Sequence, residues 1–218
     1  MISQKEFEKK CSEFNIIEPR WGVYDRSLNL IANNYRTEGA LLLNAVWNIA
    51  TFRYYSNKFD VASFDDAISK VYPIIQGIDK KFENADFKKL EPEINKTYTP
   101  LSNIGGVDYT GATKIMHLFK PDLFVLWDQY IREKYLGKTK QNSVNDYIMF
   151  LEKMQKEFGH LKAPDGKTLP KAIDEYNYVV ISVPAVDKAK KDRKKIADAK
   201  KEMRKDPKYK DLVKEYLK

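Results

Sequence analysis

The residues of this chain whose types and spacing bear most directly on chemistry lie in one stretch, 101–135, which reads LSNIGGVDYTGATKIMHLFKPDLFVLWDQYIREKY. Ile104-Gly105-Gly106-Val107-Asp108 has the composition of a tight hairpin between two helices. Glycine permits a left-handed turn and lets backbone approach a ligand closely. Asp108 can cap the helix that follows, expected over about 109–119. Amides at a helix N-terminus beside a glycine turn suit a phosphate. Lys120-Pro121-Asp122 then breaks the chain, residues 123–127 are apolar, and Asp128 begins a further helix carrying Arg132 and Tyr135. Aspartate at that position is an ordinary helix cap, and Phe124 and Trp127 beside it read as core residues.

The elements that must position these groups read as helices. Ser3-Gln-Lys-Glu6 is a capping-box pattern ahead of Phe7, Cys11 and Phe14, which share one helix face. The run 40–55 is apolar around most of its circumference and reads as one buried central helix, with Thr37 as a cap upstream. Ser63-Phe-Asp-Asp66 opens a helix that Pro73 should kink or end. Pro92 suits the first turn of another, Pro100 points to a short or bent first hairpin helix, and Ser143-Val-Asn-Asp146 caps a helix carrying Tyr147, Phe150, Leu151 and Met154. The best strand candidate is 176–183, where Val179-Val180-Ile181 is β-branched, although a helix from Pro170 through Tyr178 competes with it. The fold class is therefore all-α, with at most one short β element.

Composition narrows the function classes. With 43% hydrophobic and 32% charged residues the chain is globular, and no apolar run is long enough to span a bilayer. The first residues lack the apolar core of a signal peptide, so a soluble, intracellular (cytoplasmic or nucleoid) protein is expected. Cys11 is the only cysteine, which excludes an internal disulfide, a cysteine-based zinc site and a protein-ligated iron–sulfur cluster. His117 and His160 have no partner at metal-ligand spacing, so no metal site is expected. Residues 187–218 hold 14 Lys and Arg against 7 Asp and Glu, while the rest of the chain is nearly neutral. The basic pI belongs to that tail, which is either a nucleic-acid contact or a solvated charged helix. Pro207 separates it from a short last helix carrying Leu212, Val213, Tyr216 and Leu217.

The stretch 101–135 resembles the helix-hairpin-helix DNA glycosylase superfamily, which includes endonuclease III and the archaeal 8-oxoguanine glycosylases. There, a hairpin of the type Leu-Pro-Gly-Val-Gly grips a DNA phosphate and an aspartate starts a later helix. Here Gly106 and Asp128 stand 22 residues apart, the family spacing, and Trp127-Asp128-Gln129-Tyr130-Ile131-Arg132 is similar to the family's Val-Asp-Thr-His-Val-x-Arg element. Residues 171–178 look weakly like a C-terminal helix of the archaeal enzymes. Two positions depart from the pattern. Thr110 stands where bifunctional members place a Schiff-base lysine, with Lys114 one helical turn further on, and Asp108 replaces the second hairpin glycine.

The resemblance implies a two-lobed helical glycosylase domain over 1–186, with the hairpin motif at about 92–119, a catalytic helix from 128 and a basic helical tail over 187–218. It implies base-excision DNA repair, as a hydrolase of N-glycosyl bonds acting monomerically on double-stranded DNA with a flipped base. Asp128 would stabilise the positive charge that develops on the sugar. Gly105, Gly106, Val107, Thr110 and Lys114 would meet the DNA backbone, Lys120, Lys138 and Lys140 would add charge, and an alkali cation would sit on the hairpin carbonyls. Candidate base-holding aromatics are Trp21, Tyr24, Trp47, Tyr54 and Tyr55. Thr110 points to a monofunctional enzyme. The alternatives are a glycosylase/lyase with Lys114 as nucleophile, or a non-catalytic DNA-binding module.

Overall fold

The computed structural model describes residues 2–137 and 142–203, and every regular element among them is helical. Ser3 opens α1 (Gln4–Ile17), its hydroxyl accepting the Glu6 amide at 3.3 Å. Then come α2 (Trp21–Ala32), α3 (Arg36–Trp47), α4 (Ile49–Tyr55), α5 (Val61–Gln76) and α6 (Glu91–Ser102), which has Pro92 in its first turn. The hairpin leads into α7 (Asp108–Phe119), and Asp128 caps α8 (Gln129–Leu136). Gly137, at φ +74°, takes the left-handed conformation that closes α8. A reciprocal Ser143–Asp146 capping box starts α9 (Val144–Phe158). Then α10 (Leu169–Asn177) passes through a π-helical turn, Tyr178–Ser182, into α11 (Val183–Met203).

Several local expectations are corrected. The run 40–55 is two helices, because Asn48 leaves the helical dihedrals (φ −117°, ψ 31°) with its side-chain amide bonded to the hairpin. Gly39, Ala40, Leu43 and Asn44 of α3 are buried, whereas α4 buries no residue. Thr37 does not cap α3; it lies inside the first turn, donating to Asp65 at 2.5 Å. Asp60, not Ser63, caps α5, which runs through Pro73 to Gln76 with only a ladder bond lost near its end. Pro100 likewise lies within a twelve-residue α6. The β-branched run 179–181 forms no strand: it continues α10 as the π turn, with Val179 packed against the helical core rather than against a sheet. The basic segment is no separate element from 187, since α11 begins at Val183. Residues 204–218, with Pro207 and the expected last helix, lie outside the described residues.

The buried apolar side chains form one continuous cluster from Phe7 to Tyr176, with a small satellite of Tyr24, Leu43 and Leu118 between α2, α3 and α7. The first helix is held in the main cluster by α9 and α10, since Phe7 of α1 packs on Phe158 and Tyr176, at 5.9 and 5.7 Å between ring centroids.

In the segment 123–127 all five side chains are buried; the Leu123 and Phe124 amides turn back to the Lys120 carbonyl (3.1 and 3.3 Å), and the rest crosses the core outside any helix. Unpaired polar backbone there would cost on the order of 1–3 kcal/mol per group. Tyr147 donates its hydroxyl to the Val125 carbonyl (2.9 Å), and the Thr113 hydroxyl accepts the Trp127 amide (3.4 Å). His117 Nδ1 lies 2.6 Å from the Phe124 carbonyl, while its Nε2 lies 2.8 Å from the Tyr24 hydroxyl. A carbonyl only accepts, so Nδ1 carries the proton and Nε2 accepts from Tyr24. Burial pushes the imidazole pKa from 6.5 down to about 3, so His117 is neutral. It is a structural residue that anchors the approach to Asp128.

Candidate active site

Asp128 opens onto a cleft of about 440 Å³ where the ends of several helices converge. One wall comes from the α3–α4 junction, Trp47 to Thr51, and another from the hairpin and first turns of α7, including Asp108, Tyr109, Thr110 and Lys114. Phe14 of α1, Asp174 of α10, Tyr178 and Ser182 of the π turn and Val186 of α11 close the remainder. The Asp128 carboxylate does two local jobs while it faces this space. Its Oδ1 accepts the Ile131 amide (2.8 Å), the cap expected from sequence. Its Oδ2 accepts the Ser182 hydroxyl at 2.6 Å. A carboxylate held from both sides keeps its position as charge develops nearby.

The hairpin is built as a left-handed turn. Gly106 sits at φ +94°, and Asp108 at φ +52°, a conformation aspartate tolerates because its side chain bonds locally. Asp108 Oδ1 accepts the Thr110 amide at 2.7 Å and the Gly111 amide at 3.4 Å, and Oδ2 accepts from Thr51 at 3.1 Å. The carboxylate therefore occupies amides that a phosphate would otherwise use. Val107 is fully buried, with its amide on the Ile104 carbonyl, so it offers no surface to DNA. Gly106 is also buried and Gly105 is exposed. This corrects the expected phosphate grip at its centre: the Val107, Asp108, Thr110 and Gly111 amides are engaged internally. The hairpin carbonyls are engaged too, Gly106 by the Asn44 amide (2.8 Å) and Val107 by the Asn48 amide (2.7 Å). The Val107 carbonyl also accepts the Gly111 amide (3.0 Å), so both its lone pairs are used, whereas Gly106 keeps one.

Lys114 lies at the back of the cleft, 8% exposed, with its ammonium donating to the carbonyl of Trp47, the last residue of α3. A cation there complements the helix dipole. Burial holds its pKa below the usual lysine value, opposed by the charges of Asp128, Asp174 and Asp108. Behind Trp47 is a buried cation with no role in the sequence reading. Lys171 of α10 points its ammonium between the rings of Phe14, Trp47 and Tyr24, at 4.5, 5.0 and 5.2 Å from their centroids. It also pairs with Asp174 (3.3 Å) and Glu175 (3.2 Å), and Glu175 with Lys167 (2.5 Å). Burial raises the Asp174 carboxyl above its usual range, with Lys171 and Lys114 opposing. At the rim, Glu18 is buried yet held below the usual carboxylate range: desolvation acts against it, but donors on Arg20 (2.6 Å) and Tyr178 (2.8 Å) outweigh that.

The structure thus brings Asp128, Thr110 and Lys114 to one cleft and leaves others outside it. Lys120 lies 3.9 Å from Asp122, and Lys138 and Lys140 fall outside the described residues. Of the candidate aromatics, Trp47 lines the cleft and Tyr24 is buried behind it, their rings stacked at 5.7 Å. Tyr54 and Tyr55 are exposed near the hairpin, and the Trp21 side chain is not among the described groups. Phe124 and Trp127 are buried in the core, as expected, and Trp127 also borders the cleft. Sequence reasoning missed Glu18, Arg20, Asp174, Tyr178 and Ser182. Lys171 and Asp174 had one visible signal, opposite charges three residues apart beside Ala172 and Ile173. Among the described residues no group of three His, Cys, Asp or Glu is placed to hold a metal ion, and no helix is long and apolar enough to cross a membrane. Compared with protein-family models, curated proteins and solved structures, the chain matches none.

Proposed function

We propose that this chain is a DNA base-excision glycosylase of the helix-hairpin-helix type, hydrolysing the N-glycosidic bond of a damaged or mismatched base. The observation that carries the reading is Asp128: a carboxylate fixed by the Ile131 amide and the Ser182 hydroxyl, at the hairpin spacing of that superfamily, facing a cleft with Trp47 and Tyr178 on its walls. Pockets that enclose small ligands run to roughly 300–1,000 Å³, and a flipped base is a ligand of that class.

In this reading the C1′–N bond lengthens and positive charge builds on the sugar. Asp128 stabilises that charge and orients a water, whose oxygen bonds to C1′. The bonding pair leaves with the base, and a proton from that water ends on it or on solvent. Lys114 stays engaged on the Trp47 carbonyl, where it caps α3 and takes no covalent part. A second reading is favoured by the same lysine, since a buried amine with a lowered pKa in the cleft is a nucleophile for a Schiff base and lyase step.

The test is incubation with duplexes that carry a panel of damaged and mismatched bases, followed by alkaline cleavage of abasic sites. Base release should fall by at least about a hundredfold in Asp128→Asn. Release undiminished in that variant removes Asp128 from the chemistry, and no release from any substrate leaves only a binding protein.

A further inference from the structure

Beside the cleft lies a surface that the proposed chemistry does not use. In α4, Ile49, Tyr54 and Tyr55 are 56%, 78% and 38% exposed, and no residue of the helix is buried. Phe52 and Phe59 tether the segment from below, their rings 5.2 Å apart, with Phe59 passing on to Phe64 at 5.3 Å. The outer side carries Tyr54 edge-on to Tyr55 at 4.9 Å between centroids. Exposed aromatic surface of this kind on a tethered helix is unfavourable in water unless something covers it.

Charge indicates what covers it. Arg53 and Lys58 are exposed beside the tyrosines, and there is no acidic residue between Glu38 and Asp60. Aromatic rings interleaved with cations form a platform for stacked bases and their phosphates. Position gives the second argument. Ile49, Ala50 and Thr51 line the cleft that holds Asp128. At the other end, the Tyr55 ring lies against Gly105, where a Cβ would come within 3.2 Å of it, and Phe59 lies against Gly106, where a Cβ would come within 3.0 Å. The strip therefore runs unbroken from the mouth of the cleft to the hairpin. Much of the hairpin's own amide set is engaged internally, so a grip on DNA needs another surface close by.

We infer that residues 49–58 form the DNA-gripping face of this protein, with Tyr54 stacking on a base exposed beside the cleft and Arg53 and Lys58 holding phosphates. The inference rests on the DNA reading above but not on turnover. Tyr54 is 78% exposed, so its replacement should leave the fold intact.

The experiment measures fluorescence anisotropy of the full chain with a labelled duplex containing a tetrahydrofuran abasic analogue, across a salt series. Tyr54→Ala should weaken binding about tenfold or more, and Tyr54→Phe should bind like the parent, because stacking needs the ring and not the hydroxyl. Arg53→Gln with Lys58→Gln should lower the slope of log Kd against log salt by roughly 0.9 per charge removed. Binding unchanged in both the Tyr54→Ala and the double variant overturns the inference, even if base release continues. So does parent-like DNA binding accompanied by capture of phosphatidylserine vesicles or self-association that only Tyr54→Ala abolishes. Loss of binding in Tyr54→Ala without base release from any substrate upholds this face and removes the glycosylase reading.

Discussion

The hydroxyl of Ser182 donates a 2.6 Å hydrogen bond to Oδ2 of Asp128, across 54 residues of chain. Nothing local brings them together. Ser182 is the last residue of the π turn, whose wider winding sets the register between α10 and α11. With the Ile131 amide on the other oxygen, the carboxylate is fixed in one orientation. Ser182 is then a positioning residue for Asp128. Ser182→Ala should lower kcat for base release by about tenfold and leave KM and duplex affinity within about twofold, with Ser182→Thr restoring most of the rate. An equal loss of binding and turnover would assign Ser182 to the fold instead.

Lys114 separates hydrolysis from lyase chemistry. In the hydrolytic reading its ammonium stays on the Trp47 carbonyl, so borohydride should trap no covalent protein–DNA complex. A trapped complex that disappears in Lys114→Met would replace hydrolysis by imine chemistry at this lysine. Because burial lowers its pKa, such trapping would persist to a lower pH than an ordinary lysine allows.

His117 gives the fold a defined pH dependence. Its pKa is about 3 in the folded chain against 6.5 for an ordinary histidine. Below about pH 6.5 the unfolded chain takes up a proton that the folded chain refuses. Stability contributed by the neutral ring is complete above 6.5 and falls as pH drops toward 3, at up to about 1.4 kcal/mol per pH unit. In nitrogen-15 spectra the ring should keep the Nδ1–H tautomer unchanged from pH 8 to pH 5, and His117→Gln should flatten urea-unfolding stability across that window. A His117 resonance with its midpoint near 6.5 would contradict the assignment.

Gly111 marks how closely α7 approaches α3 at the hairpin. A methyl there would meet Asn44 Oδ1 at 2.5 Å and Val107 Cγ1 at 2.9 Å. Gly111→Ala should displace Asn44 from the Gly106 carbonyl and cost roughly 1–3 kcal/mol in thermal or urea unfolding. Gly22→Ala, whose methyl meets nothing within 4 Å, is the control and should be neutral or slightly stabilising.

The features legible in the sequence were those settled within a few residues of themselves. Ser3, Ser143 with Asp146, Pro92 and Asp128 all act on amides or first turns of their own helices, so composition and spacing suffice to find them. The Gly106–Asp128 spacing was readable for the same reason, since it measures one turn, one helix and one buried segment. What only the tertiary structure decided are the partners. Asn44 and Asn48 lie in a run read as one apolar helix, and they hold the hairpin carbonyls some 60 residues away. The β-branched residues 179–181 favoured a strand locally, but α10 already packed on α1 carries them on as a π turn. Asp108 was readable as a cap, yet only the fold shows that capping removes amides from a ligand. A side chain's reach is a few ångströms, so its own turn is visible in sequence. Which distant wall it faces depends on how the helices pack, and the surroundings of Asp128, from Ser182 to Asp174, were settled at that level.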